Sequence, residues 1–95
     1  MIEFEWDSHN IKHIIEDYPE RDNSIDEVES IFYDHLAIVK KVSNKPELRF
    51  TVAGVSNFSN LKVVVYTLNR GKIRPITCWP ANTQTKRDYY ERSKS

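Results

Sequence analysis

Glycine is nearly missing from this chain. Its 95 residues hold two, Gly54 and Gly71. Loops that cradle phosphates with backbone amides need several glycines at fixed spacing, so a P-loop and a dinucleotide-binding turn are excluded. No Gly-x-Ser-x-Gly elbow is present either. Cysteine is scarcer still. Cys78 stands alone, so no internal disulfide can form and no cysteine cluster can hold zinc. No apolar run approaches the ~20 residues that a bilayer-spanning helix needs. The opening residues, MIEFEWD, are acidic and lack a cationic-then-apolar leader pattern. Together these absences predict a cytoplasmic protein with no membrane contact.

What is present fits one small domain over residues 1–95. Hydrophobic residues at 39% and charged residues at 29% place the chain among folded globular domains rather than disordered ones. A domain of this size buries a modest core, so its stability has little reserve. The formal net charge of zero conceals a polarity. Residues 1–35 carry 2 Lys/Arg against 11 Asp/Glu, a net of −9. Residues 36–95 carry 12 against 3, a net of +9. Two readings follow. The basic half steers an anionic partner to one face, or the halves interleave in space and neutralise each other. Such polarity also permits self-association.

The periodicity predicts an order of elements. Ile2, Phe4 and Trp6 alternate with Glu3 and Glu5, the period of a half-buried strand. Asp7 or Ser8 caps a short helix whose buried face is Ile11, Ile14 and Ile15. EDYPERDN reads as a loop. Ser24 with Glu27 three residues later forms a capping box, and Val28, Ile31 and Phe32 make the next buried stripe. After His35 the pattern turns to strands: LAIVKKV, LRFTVAGV, LKVVVYTL and IRPITCW. LKVVVYTL, apolar on both faces, is the central one. NRGK is a hairpin turn with Gly71 at positive φ. Pro75 removes a ladder donor, which predicts a free edge or a bulge there. Thr85 and Asp88 open a last helix, where Asp88 and Arg92 form an i, i+4 pair. The fold class is α+β: a short N-terminal strand and two helices, a four-stranded antiparallel meander, and a C-terminal helix.

Several residues can carry chemistry. His9 and His13 stand four apart on the first helix, a spacing at which two histidines can share a metal. No third ligand lies near in the sequence, so a polar helix face is the preferred reading and neither metal nor cofactor is expected. Cys78 beside Trp79 reads as a buried small hydrophobe. Arg49 alternates with Leu48 and Phe50, and Arg74 shares a strand face with Lys72. Arginines standing on a sheet suit a phosphodiester, because the planar fork holds two phosphate oxygens. Trp6, Trp79, Tyr89 and Tyr90 offer stacking surfaces for unpaired bases, and Lys86 and Arg87 make the last helix basic. The competing expectation is that Trp6 and one of these tyrosines are mostly core.

FEWD, N-I-x-H-I, EVESIFYD, RF…G, LKVVVYT, KIRPIT and AN…R-D-Y-Y occur in one order over nearly the whole chain. In that order and spacing the chain resembles the BrnT-like family, the toxin halves of bacterial toxin–antitoxin pairs. The resemblance implies a RelE-like fold and a metal-independent endoribonuclease that blocks translation. It implies a small antitoxin partner, usually with a DNA-binding ribbon-helix-helix portion. Trp6 and Asp7 match the family's opening motif. Lys12 and His13 match its Lys-His pair only in an alignment with a longer loop after the first helix; aligned on N-I-x-H-I, the pair's place falls in EDYPER and the pair is absent. Arg49 and Arg74 match its strand arginines, and Tyr89 its C-terminal aromatic. Catalysis is then expected of Lys12, His13, Arg49 and Arg74, and RNA contact of Trp6, Lys72, Trp79, Lys86, Arg87 and Tyr89. The chain departs from the pattern after IRPIT, where Cys78, Trp79, Pro80 and Ala81 replace basic residues. That departure makes the alternative a binding module, for RNA or a partner protein, that cuts weakly or not at all.

Overall fold

The computed structural model describes residues 1–94, and it is α+β. Helix α1 (Ser8–Ile11) runs on into a π-helical turn (Lys12–Glu16), and a 3₁₀ turn (Pro19–Arg21) precedes helix α2 (Ile25–Ile31). Strands β1 (Ile38–Ser43), β2 (Arg49–Val55), β3 (Leu61–Asn69) and β4 (Lys72–Pro80) form an antiparallel meander in the order β1-β2-β3-β4. Helix α3 (Thr83–Ser93) closes the described chain. No helix among the described residues is long and apolar enough to cross a membrane.

The core lies on both faces of the sheet, as alternation within the strands requires. On one face Val52, Val64, Tyr66 and Cys78 pack with Ile14 of the π turn and with Val28 and Ile31 of α2. On the other, Ala53, Leu61 and Val63 pack with Tyr89 of α3 and with Ala81. Gly54 lets α2 approach the first face. A Cβ there would stand 2.9 Å from the Ile31 carbonyl oxygen. The β3–β4 hairpin has Arg70 and Gly71 at φ +55° and +80°, the two positive values that a type I′ turn demands. At Pro75 the ladder shifts register between Val65 and Tyr66, so the bulge reading of that proline holds; β4 is a terminal strand, but its edge there is not free, because Asn10 Nδ2 donates to the Pro75 carbonyl.

Other expectations need correction. The N-terminal strand is reduced to one parallel bridge, Phe4 to Ile73, because among the described residues only two backbone hydrogen bonds, both at Ile73, pair it with β4. Ser24 does cap α2, accepting from the Glu27 N–H at 3.2 Å. The Glu27 carboxylate does not complete the box, because it turns inward to Lys62 Nζ at 2.9 Å. Asn82 rather than Thr85 caps α3, so this helix starts at Thr83. Asp88 takes a hydrogen bond from Gln84 at 2.9 Å, one turn back, and not from Arg92.

The two charged halves interleave in part, through three cations of the basic half. Lys62, Lys72 and Arg74 of the basic half pair with Glu27, Glu3, Glu5 and Asp7 of the acidic half.

Candidate anion-binding cleft

A cleft of about 370 Å³ lies where the first helix meets the sheet. Arg49 of β2, Thr67 of β3 and Arg74 of β4 form its floor, with Pro75 and Ile76 at the bulge. Register explains the convergence. Arg49 pairs with Thr67 and Thr67 with Arg74, so the three side chains stand in one row on one face. His9, Asn10 and His13 form the wall.

Asp7 fixes that wall to the floor. Its Oδ1 caps α1, accepting from the N–H groups of His9 at 2.9 Å and Asn10 at 3.2 Å. The same carboxylate accepts from Arg74 Nη1 at 2.9 Å and Nη2 at 3.3 Å. The Arg74 hydrogen bonds, with the capped amides, hold the Asp7 carboxyl below the usual carboxylate range. Asn10 is buried and returns the contact. Its Oδ1 accepts from the Asp7 N–H at 2.8 Å, and its Nδ2 donates to the Glu5 and Pro75 carbonyls at 3.0 Å each. The histidine helix and the arginine strand are therefore one rigid unit.

Both arginines are already engaged. Arg74 also donates to Glu5 Oε1 at 3.2 Å, and Arg49 reaches Glu47 Oε1 at 3.2 Å through Nε and Nη2. Each guanidinium keeps donors in reserve. Nε of Arg74 and Nη1 of Arg49 have no hydrogen bond among the described residues.

The cleft gathers His13, Arg49 and Arg74 from the residues expected to catalyse, and adds His9. It leaves out Lys12. That ammonium is on the solvent side, 2.6 Å from Asp17, whose other oxygen lies 3.8 Å from His13 Nδ1. The aromatics expected at RNA are elsewhere. Tyr89 is 5% exposed and its hydroxyl donates to Asp34 Oδ2 at 2.5 Å, so its ring offers no stacking face. Burial first, then Asp34, pushes its pKa up to about 12. Trp79 is half-buried against the α3 cluster. Trp6 is half-buried, packs on the α2 cluster, and donates to Glu29 Oε2 at 2.8 Å. Both core expectations, Trp6 and one tyrosine, fit these positions. Lys72, Lys86 and Arg87 are exposed but lie outside the cleft lining, and Lys72 is 3.9 Å from Glu3. Cys78 is fully buried, and burial pushes its thiol up to about 12, which removes it as a nucleophile at neutral pH.

Sequence reasoning did not assign His9, Glu5 or Asn10 to a site. The i, i+4 spacing of His9 and His13 was the available signal for the first. Asp7-x-x-Asn10 is a capping pattern, and nothing in it announces the arginine. Among the described residues no three His, Cys, Asp or Glu side chains stand close enough to share a metal ion.

No family model and no curated protein matches this chain.

Proposed function

We propose that the chain is an endoribonuclease toxin of the BrnT-like type, with a RelE-like fold and a small antitoxin as its partner. One observation carries the reading: two histidines of the first helical segment and two arginines from separate strands converge on one cleft. The chemistry is an internal transfer. The scissile phosphate sits over Arg49 and Arg74 and takes their free donors. One imidazole removes the proton of the adjacent 2′-hydroxyl, whose oxygen attacks phosphorus in line. The arginines offset the charge that builds on the equatorial oxygens. The second imidazole protonates the departing 5′-oxygen. The products are a 2′,3′-cyclic phosphate and a 5′-hydroxyl end. Glu5, Asp7 and Glu47 hold the guanidinium planes in place for this step.

A second reading has its own observation. Three carboxylates offset the two arginine charges, and Lys12 is tied to Asp17, so the cleft holds little net positive charge. On that reading the cleft retains RNA or a protein partner without cutting it. Induced expression separates the two. If the chain is a nuclease, growth stops and Arg74→Ala restores it. If it is a binding module, growth continues and the purified protein retains RNA in a salt-dependent way with no new ends.

A further inference from the structure

The two edges of the sheet are finished differently. The outer edge of β4 is closed. The Ile73 N–H donates to the Glu3 carbonyl at 2.9 Å, and its carbonyl accepts from the Glu5 N–H at 2.8 Å. Pro75 has no N–H, and its carbonyl is taken by Asn10. The Cys78 carbonyl accepts from Asn23 Nδ2 at 3.0 Å and Arg21 Nη1 at 3.3 Å. The outer edge of β1 has no such cover. Among the described residues no hydrogen bond from outside the β1–β2 ladder reaches positions 38–42.

An open edge is often blunted with lysine alone, which discourages pairing. β1 does carry Lys40 and Lys41, both exposed and both without an ion pair among the described residues. Yet Val39 and Val42 beside them are 57% and 53% exposed. A blunted edge has no need of this apolar border. Apolar side chains that flank an unpaired backbone row are what an added strand uses for affinity, and the charges set which strand is accepted.

We propose that β1 is a docking edge for an extended, acidic segment of a partner protein, which joins the sheet as a fifth strand. The backbone row supplies the ladder. Lys40 and Lys41 face acidic residues of the incoming strand, one on each side of the sheet, and Val39 meets an apolar one. Asp88 lines a small cleft with Lys40, and among the described residues the two form no ion pair. A second copy of the chain is a poor occupant. Antiparallel pairing of β1 with itself sets lysines against lysines, and like charges across a ladder destabilise it. RNA lacks the amide ladder that the open row requires. The proposal does not depend on the chemistry of the cleft.

The test is a titration of the ¹⁵N-labelled chain with two blocked eight-residue peptides, Val-Glu-Glu-Val repeated twice and Val-Lys-Lys-Val repeated twice, since adjacent acids place one carboxylate on each side of the sheet with valines beside them. The expected result is saturable shift changes confined to residues 38–43 with the Glu peptide and none with the Lys peptide. Lys40→Glu with Lys41→Glu should weaken that binding at least 10-fold. Shifts that are absent at millimolar peptide, that lie elsewhere, or that are equal for both peptides overturn the proposal. So does a concentration-dependent dimer that occupies β1 without peptide, or an RNA oligomer that shifts the same amides. The peptide comparison is made on the unsubstituted protein, so a variant that fails to fold does not decide it.

Discussion

Two ion-pair clusters join the acidic and basic parts of the chain, and they differ in everything but charge. The Glu27–Lys62 cluster is sealed: the side chains are 2% and 4% exposed. Lys62 Nζ donates to Glu27, to Asn23 Oδ1 at 2.8 Å and to the Arg21 carbonyl at 3.1 Å. The second Glu27 oxygen accepts from Ser56 Oγ at 2.6 Å and Asn60 Nδ2 at 2.9 Å. Among the described residues no buried side-chain polar atom lacks a partner. The Arg74 cluster opens onto the cleft, with Asp7 half in water and donors left over. A sealed and satisfied pair specifies a fold. A pair that keeps donors facing a cleft is built to meet something else.

The largest effect should come from unbalancing the sealed pair. Glu27→Ala leaves an ammonium buried without its counter-charge, and a loss of about 3–5 kcal/mol in denaturant unfolding is expected. Replacing both residues with apolar ones of similar size should recover most of it. If the single and double variants lose the same stability, the pair is not the unit described here.

Next comes the open cluster. Arg74→Ala should lower RNA cleavage about 100- to 1,000-fold, as removal of a transition-state donor does elsewhere. Its thermal midpoint should stay far closer to the parent's than that of Glu27→Ala. A variant that loses activity only because it unfolds would erase the distinction between the clusters.

Acid should weaken the sealed side. Burial pushes the Glu27 carboxyl up, but Ser56, Asn60 and Lys62 outweigh it and the net shift is downward. Asp34 behaves alike, its burial outweighed by Tyr89 and the Val55 and Leu36 N–H groups. Carboxyls lowered on folding add stability that is full above the unfolded pKa and lost as the pH falls through the folded one. Stability should therefore hold above about pH 5 and drop progressively below about pH 4. In Glu27→Gln the drop should be shallower.

The smallest structural effect belongs to Asp7→Asn. Asparagine caps a helix about as well as aspartate, so α1 should persist. The charge on Arg74 loses its orienting partner, so cleavage should slow with the thermal midpoint barely moved. If Asp7→Asn slows cleavage as much in the Arg74→Ala background, the two residues do not act together.

Much of this was legible in the chain, for physical reasons that also mark the limit. Strand alternation, Gly71 at the hairpin and Pro75 at the bulge are local signals, and the meander follows from them. Arg49 and Arg74 were legible because alternation fixes the face on which a strand residue stands. Lys62 was not. It opens an apolar strand, and only the loop that folds over its end turns a lysine inward. Tyr89 failed in the opposite way: a basic helix predicts wet aromatics, while its hydroxyl finds Asp34 55 residues away. Lys12 sits next to His13 in sequence but turns to Asp17 and leaves the cleft. Contacts across sequence distance decide the first two and a contact five residues on decides the third, and periodicity carries no trace of any of them.

The most direct measurement is cleavage of an end-labelled RNA oligomer by the purified chain, with the fragments' ends identified and a matching 2′-O-methyl oligomer beside it. The cleft of His9, His13, Arg49 and Arg74 predicts 2′,3′-cyclic phosphate and 5′-hydroxyl ends from RNA, and an uncut 2′-O-methyl oligomer. Intact RNA, or equal cutting of both oligomers, would contradict it.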